Sequence, residues 1–102
     1  LGRGVAAIKQ NNGSVFVSWR LLGTDKEDLA FNLYRTTGGK NVKLNGKPLT
    51  GATNFVDTDA KGDRATAYFV RPVESGREQK ASTPFRMAAG APARPYVSIP
   101  LK

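Results

Sequence analysis

Ser14-Val15-Phe16-Val17-Ser18-Trp19-Arg20-Leu21 places Val15, Val17, Trp19 and Leu21 on one face and Ser14, Ser18 and Arg20 on the other. Only Phe16 breaks the alternation. Successive side chains of a strand point to opposite faces, so this period of two predicts a half-buried β-strand with Trp19 inside. The pattern recurs along the chain. Leu29, Phe31 and Leu33 share one face of the run 29–35, and the run 66–73 turns Tyr68 and Val70 inward with Phe69 and Arg71 outward. The expected core is therefore Val15, Val17, Trp19, Phe31, Leu33, Tyr68 and Val70.

Turn chemistry separates these runs. Asn11-Asn12-Gly13 tolerates positive φ and reads as a hairpin turn. The segment 23–28 is a polar loop in which Thr24 or Asp25, followed by acidic residues, could cap one short helical turn. Gly38-Gly39, Asn45-Gly46, the segment 59–63 and Ser75-Gly76 mark further reversals. Turns spaced by about ten residues are the pattern of an all-β sandwich. The expected strands are 3–10, 14–21, 29–36, 42–44, 53–56, 65–73 and 78–87, making an antiparallel β-sandwich of about seven strands over residues 1–87. Pro72 lacks a ladder donor, so an irregularity or strand end is expected there. Residues 88–102 hold three prolines and read as an extended linker, with Tyr96, Val97, Ile99 and Leu101 apolar enough to dock on a further domain.

With 102 residues, the chain has the size of one domain. It contains no cysteine and no histidine. Thiol nucleophiles, cysteine metal sites, disulfides and histidine acid–base chemistry are thereby excluded from these residues. No apolar run approaches the ~18 residues of a membrane span, and Leu1-Gly2-Arg3-Gly4 lacks the apolar core of a signal peptide. The net charge of +8 fits either a polyanionic partner or a soluble surface that is simply basic, since the cations are scattered.

Few side chains offer chemistry. Asp57, Asp59 and Asp63, with Gly62, faintly resemble a calcium loop, but the spacing departs from the EF-hand order of ligands. A turn whose acids bond their own backbone is the alternative, and Asp25, Glu27 and Asp28 have the same two readings. No Gly-rich phosphate loop and no RNA-recognition signature is present. The expectation is no catalytic residue, no cofactor site and no metal site in these residues.

Val17-Ser18-Trp19, Phe31-Asn32-Leu33-Tyr34-Arg35, Phe55-Val56-Asp57-Thr58 and Tyr68-Phe69-Val70-Arg71-Pro72-Val73 together resemble a fibronectin type III domain, an immunoglobulin-like sandwich. A more specific resemblance runs through nearly the whole chain. Leu1-Gly2-Arg3-Gly4-Val5-Ala6-Ala7, the run from Val15 through Trp19-Arg20-Leu21-Leu22-Gly23-Thr24-Asp25, and Tyr96-Val97-Ser98-Ile99-Pro100-Leu101 are similar to the N-terminal region of rhamnogalacturonan lyases of polysaccharide lyase family 11.

That resemblance implies an accessory domain preceding a catalytic β-propeller, which would bind calcium and cleave the rhamnose–galacturonate backbone by β-elimination. The calcium and the catalytic residues would belong to the propeller. It also implies an extracellular, periplasmic or cell-envelope location, because pectin lies outside the cell. Two roles remain open at this stage. Arg20, Tyr34, Arg35, Phe69, Arg71 and Tyr96 could dock the domain on the propeller. Alternatively, aromatic rings and arginines could hold an acidic polysaccharide. A nucleic-acid module is the weaker third reading, with affinity falling steeply with salt.

Overall fold

A computed structural model describes residues 4–22, 29–60 and 65–88. Their strands are β1 (Ala6–Lys9), β2 (Val15–Ser18), β3 (Ala30–Thr37), β4 (Lys40–Lys43), β5 (Leu49–Thr50), β6 (Asn54–Asp57), β7 (Thr66–Glu74), β8 (Arg77–Glu78) and β9 (Phe85–Met87). All pairings are antiparallel. A three-stranded sheet has the order β1-β2-β6. The larger sheet has the order β4-β3-β7-β8, with β5 also on β3 and β9 also on β7.

The period of two decides which side chains lie between the sheets. Ala7, Val17 and Phe55 form one inward row across the small sheet, because β1, β2 and β6 pair Ala7 with Val17 and Val17 with Phe55. Phe31 and Leu33 of β3 and Tyr68 and Val70 of β7 face them. Val15, Val17, Trp19, Phe31, Leu33, Tyr68 and Val70 are all buried, and Leu29, Val5 and Ala7 join the same cluster. Trp19 meets Phe31 edge to face, with ring centroids 5.7 Å apart.

The reversals are tight where the backbone demands glycine. Gly38 and Gly39 both have positive φ (59° and 81°) between the paired Thr37 and Lys40. This two-residue geometry matches the twist of a hairpin. Ser75 and Gly76 repeat it between β7 and β8 (φ 53° and 78°). Asn45 works differently. Its buried amide accepts from Leu33 N–H at 2.8 Å and donates to Asn32 Oδ1 at 3.0 Å and to the Lys47 carbonyl at 2.8 Å. A side chain thus replaces ladder partners where the chain leaves β4.

Several expectations are corrected. Leu21, placed on the inward face of the expected strand 14–21, is 59% exposed. Strand β2 ends at Ser18, and Trp19 N–H, bonded to the Thr53 carbonyl at 3.0 Å, carries its pairing one residue further. The expected strand 78–87 is two short strands separated by residues 79–84, and β5 is additional. Pro72 does not end its strand. Its carbonyl accepts from Gln79 N–H at 2.7 Å, so its polar edge faces away from β3. In an antiparallel ladder the missing N–H lies on that same edge, and the β3–β7 pairing loses nothing. The other expected strands hold with shifts of a residue or more at their ends. Residues 89–102, including Tyr96, lie outside the described residues.

Candidate functional site

The outer face of the larger sheet brings together Asn32, Tyr34, Lys43, Phe69 and Arg71. Strands β3 and β7 pair Tyr34 with Phe69 and Asn32 with Arg71, and β4 sets Lys43 opposite Tyr34. These positions are out of phase with the core and point away from it. Tyr34 and Phe69 stack with centroids 5.1 Å apart and an interplanar angle of 9°. One face of each ring is therefore occupied by the other, which leaves less ring surface for a sugar.

Glu78 of β8 reaches back over this pair. It accepts from the Tyr34 hydroxyl and from Asn32 Nδ2 at 2.7 Å. Arg71 Nε donates to the Gln79 carbonyl at 2.8 Å and lies 3.6 Å from the Glu78 carboxylate. That ion pair is partly exposed and contributes at most about 1 kcal/mol. The Tyr34 hydroxyl bond, then the Asn32 bond, holds the Glu78 carboxyl below its ordinary value, while burial and the Glu78 bond push the Tyr34 hydroxyl up. A carboxyl with a lowered folded pKa contributes stability above its unfolded pKa, and that stability is lost as pH falls through the folded value. We expect the Glu78 carboxyl to titrate below its ordinary 4.5 by NMR and to move back up in Tyr34→Phe. An unmoved titration in that variant would show that the hydroxyl does not hold the carboxylate.

The remaining named residues stand elsewhere. Arg35 is a correction: it shares the parity of Phe31 and Leu33 and turns inward. Its guanidinium reaches both carboxylate oxygens of the buried Asp57, at 2.8 and 2.7 Å, and Tyr68 donates to the same carboxylate at 2.8 Å. Asp57 belongs to the small sheet, so this cluster ties the two sheets together. Arg20 follows β2 and lies across Gly4, where an added Cβ would stand 2.9 Å from its Nε. It is not part of the Tyr34 face. Asp57 Oδ1 also accepts from Asp59 N–H at 3.1 Å, the self-bonded turn. Gly62, Asp63, Asp25, Glu27 and Asp28 lie outside the described residues. Among the described residues no cluster of His, Cys, Asp or Glu is placed to hold a metal ion.

A cleft of about 210 Å³ lies between the β3–β4 turn and the β7 and β9 strands, against Gly38, Gly39, Ala67, Arg86 and Met87. It is smaller than the roughly 300–1,000 Å³ of ordinary ligand pockets and offers one cation with no acid or base opposite. The sequence reading missed Asn32 and Glu78, which organise the Tyr34 face. Parity signals Asn32, which is in phase with Tyr34, whereas Glu78 has no such local signal.

Residues 1–87 match the family model described as the rhamnogalacturonan I lyases beta-sheet domain. The chain is 43% identical over 101 residues to the rhamnogalacturonan endolyase YesW of Bacillus subtilis, covering 99% of this chain and 14% of that protein. It is 44% identical over 87 residues to the rhamnogalacturonan exolyase YesX of the same organism, covering 85% and 13%. The crystal structure of YesX superposes with a TM-score of 0.69 over 82% of this chain. A fibronectin type III-like protein from Clostridium thermocellum superposes with a TM-score of 0.64 at 21% identity over 81% of this chain and 84% of its own, a likeness of fold alone. The chain thus spans about one seventh of the curated relatives it matches.

Proposed function

Because the chain belongs to the rhamnogalacturonan I lyase β-sheet domain family, we propose that it is a non-catalytic accessory domain of such a lyase. It packs on the catalytic part of the same polypeptide and stabilises or positions it. The whole protein cleaves rhamnogalacturonan I by β-elimination, with the catalytic β-propeller and its calcium outside these residues.

One observation carries this reading. The domain is about equally similar to a relative named an endolyase and to one named an exolyase, at 43% and 44% identity. A module shared by internal and terminal cutters is not where the mode of cleavage is decided. The chemistry of the site agrees. β-Elimination needs a base for the proton α to the uronate carboxyl and a cation or donor for the developing enolate. The carboxylates of Asp57 and Glu78 are engaged with Arg35, Tyr68, Tyr34 and Asn32 and hold the fold together.

A second reading has its own observation. Tyr34, Phe69, Arg71 and Lys43 do share one outer face, as an acidic polysaccharide would require. Deleting residues 1–87 from the full-length lyase separates the two. The accessory reading expects a lower unfolding temperature for the remainder and unchanged affinity for rhamnogalacturonan oligosaccharides by calorimetric titration. Unchanged stability with weakened binding that is insensitive to moderate salt would replace it with the carbohydrate-binding reading.

A further inference from the structure

The outer face of the small sheet contrasts with that of the large one. Strands β1, β2 and β6 align Ile8 with Phe16 and Phe16 with Val56, so the three side chains form one row across three strands. Directly opposed side chains of neighbouring strands stand about 5 Å apart at Cβ, which makes the row a continuous apolar stripe. Ile8 is 38% exposed and Val56 42%, and Phe16 between them is half-buried. The next outward row is Ala6, Ser18 and Asn54. These six outward positions carry no charge, in a chain whose residues are 24% charged. Scattered single apolar residues are ordinary on a surface, whereas a contiguous, uncharged stripe marks a protein contact.

We infer that this face, and not the aromatic face of the larger sheet, is where the domain packs on the remainder of the lyase polypeptide. The inference rests on the accessory reading above and names its surface. Two other occupants fit poorly. A second copy would set this basic domain, with net charge +8 over its 102 residues, against itself, and like charges oppose that contact. An acidic polysaccharide would find no cation within the stripe and, among the described residues, a single one, Arg20, beyond the Ser18 row, where it lies across Gly4. A neutral protein surface on the same chain has neither difficulty, and the curated relatives carry about six-sevenths of their length beyond this domain. Tethering also raises the local concentration of the partner, so a modest apolar stripe suffices.

The test uses the full-length polypeptide and maleimide labelling. These residues contain no native cysteine, and labelling of the unsubstituted protein is subtracted. Val56→Cys reports the small-sheet face and Lys43→Cys the opposite one. Ile8→Cys reports the same stripe should Val56→Cys not accumulate as folded protein. We expect the stripe thiol to label at least about tenfold more slowly than that of Lys43→Cys, since reagent must wait for the domains to open. Slow labelling that speeds up on dilution, with sedimentation showing dimers, would assign the face to a second copy and overturn the inference. Equal labelling with a single joint unfolding transition would overturn the choice of face and leave the packing reading standing. Equal labelling with two independent transitions would remove both.

Discussion

Asp57→Ala is expected to lose about 3–5 kcal/mol of folding stability, measured by urea unfolding followed by circular dichroism. Domains of this size hold about 5–15 kcal/mol in all, so the loss removes a large part of it. The cause is the geometry around one carboxylate. Asp57 is 2% exposed and accepts two bonds from Arg35 and one from Tyr68. Truncation leaves a guanidinium at 16% exposure without its counter-charge and a buried hydroxyl without its acceptor. Asp57→Asn keeps one acceptor oxygen but presents an amide N–H to the guanidinium, so it should recover only part of the loss. A change below about 1 kcal/mol in Asp57→Ala would show that water reaches the cluster and that the pair is no more than a surface one. The same cluster sets an alkaline limit. Burial, then the bond to Asp57, holds the Tyr68 hydroxyl above the ordinary 10.0. Above that pH the unfolded chain releases the proton and the folded chain keeps it. Stability therefore falls as pH rises past 10, by up to about 1.4 kcal/mol per pH unit from this group. Tyr68→Phe should lack that slope.

This cluster also shows where sequence reading loses its way. The parity that buries Phe31 and Leu33 buries Arg35 as well, and that parity was legible in the run 29–35. Grouping Arg35 with Arg20 and Arg71 as surface cations followed charge instead of phase. The acceptor that permits an inward arginine, Asp57, lies 22 residues away on the other sheet, and pairing at that distance leaves no local signal. Leu21 errs in the opposite direction. It shares the period of Val17 and Trp19, but β2 has already ended at Ser18, and the side chain is 59% exposed. Period predicts the face and not the length of a strand. Pro72 errs the same way: sequence shows the missing donor but not the edge on which it falls. The outward phase of Tyr34 and Phe69 was legible from alternation. The carboxylate that crosses over them was not, since Glu78 arrives through the Ser75-Gly76 turn onto the neighbouring register.

Trp19→Ala should cost about 3–5 kcal/mol, as large-to-small changes in a closed core do. Trp19 is 4% exposed and stands edge to face against Phe31, across the gap between the sheets. Removing it opens a cavity that strands anchored on both sides cannot close. Its indole Nε1–H has no acceptor among the described residues, so the ring contributes through packing and not through a hydrogen bond. Trp19→Phe then sharpens the argument. Phenylalanine keeps an aromatic ring against Phe31 and deletes the unsatisfied donor, whose burial opposes folding by about 1–3 kcal/mol. The relief offsets part of the lost volume, and the variant should fall well short of the alanine loss. A tryptophan serving as a sugar platform behaves differently, since its ring must lie open. In that case Trp19→Ala would leave the unfolding midpoint nearly unchanged and weaken binding of rhamnogalacturonan oligosaccharides. Unfolding by circular dichroism, which does not depend on the one tryptophan of the chain, together with calorimetric titration of the folded variant, decides between a ring that holds the two sheets together and a ring that holds a substrate.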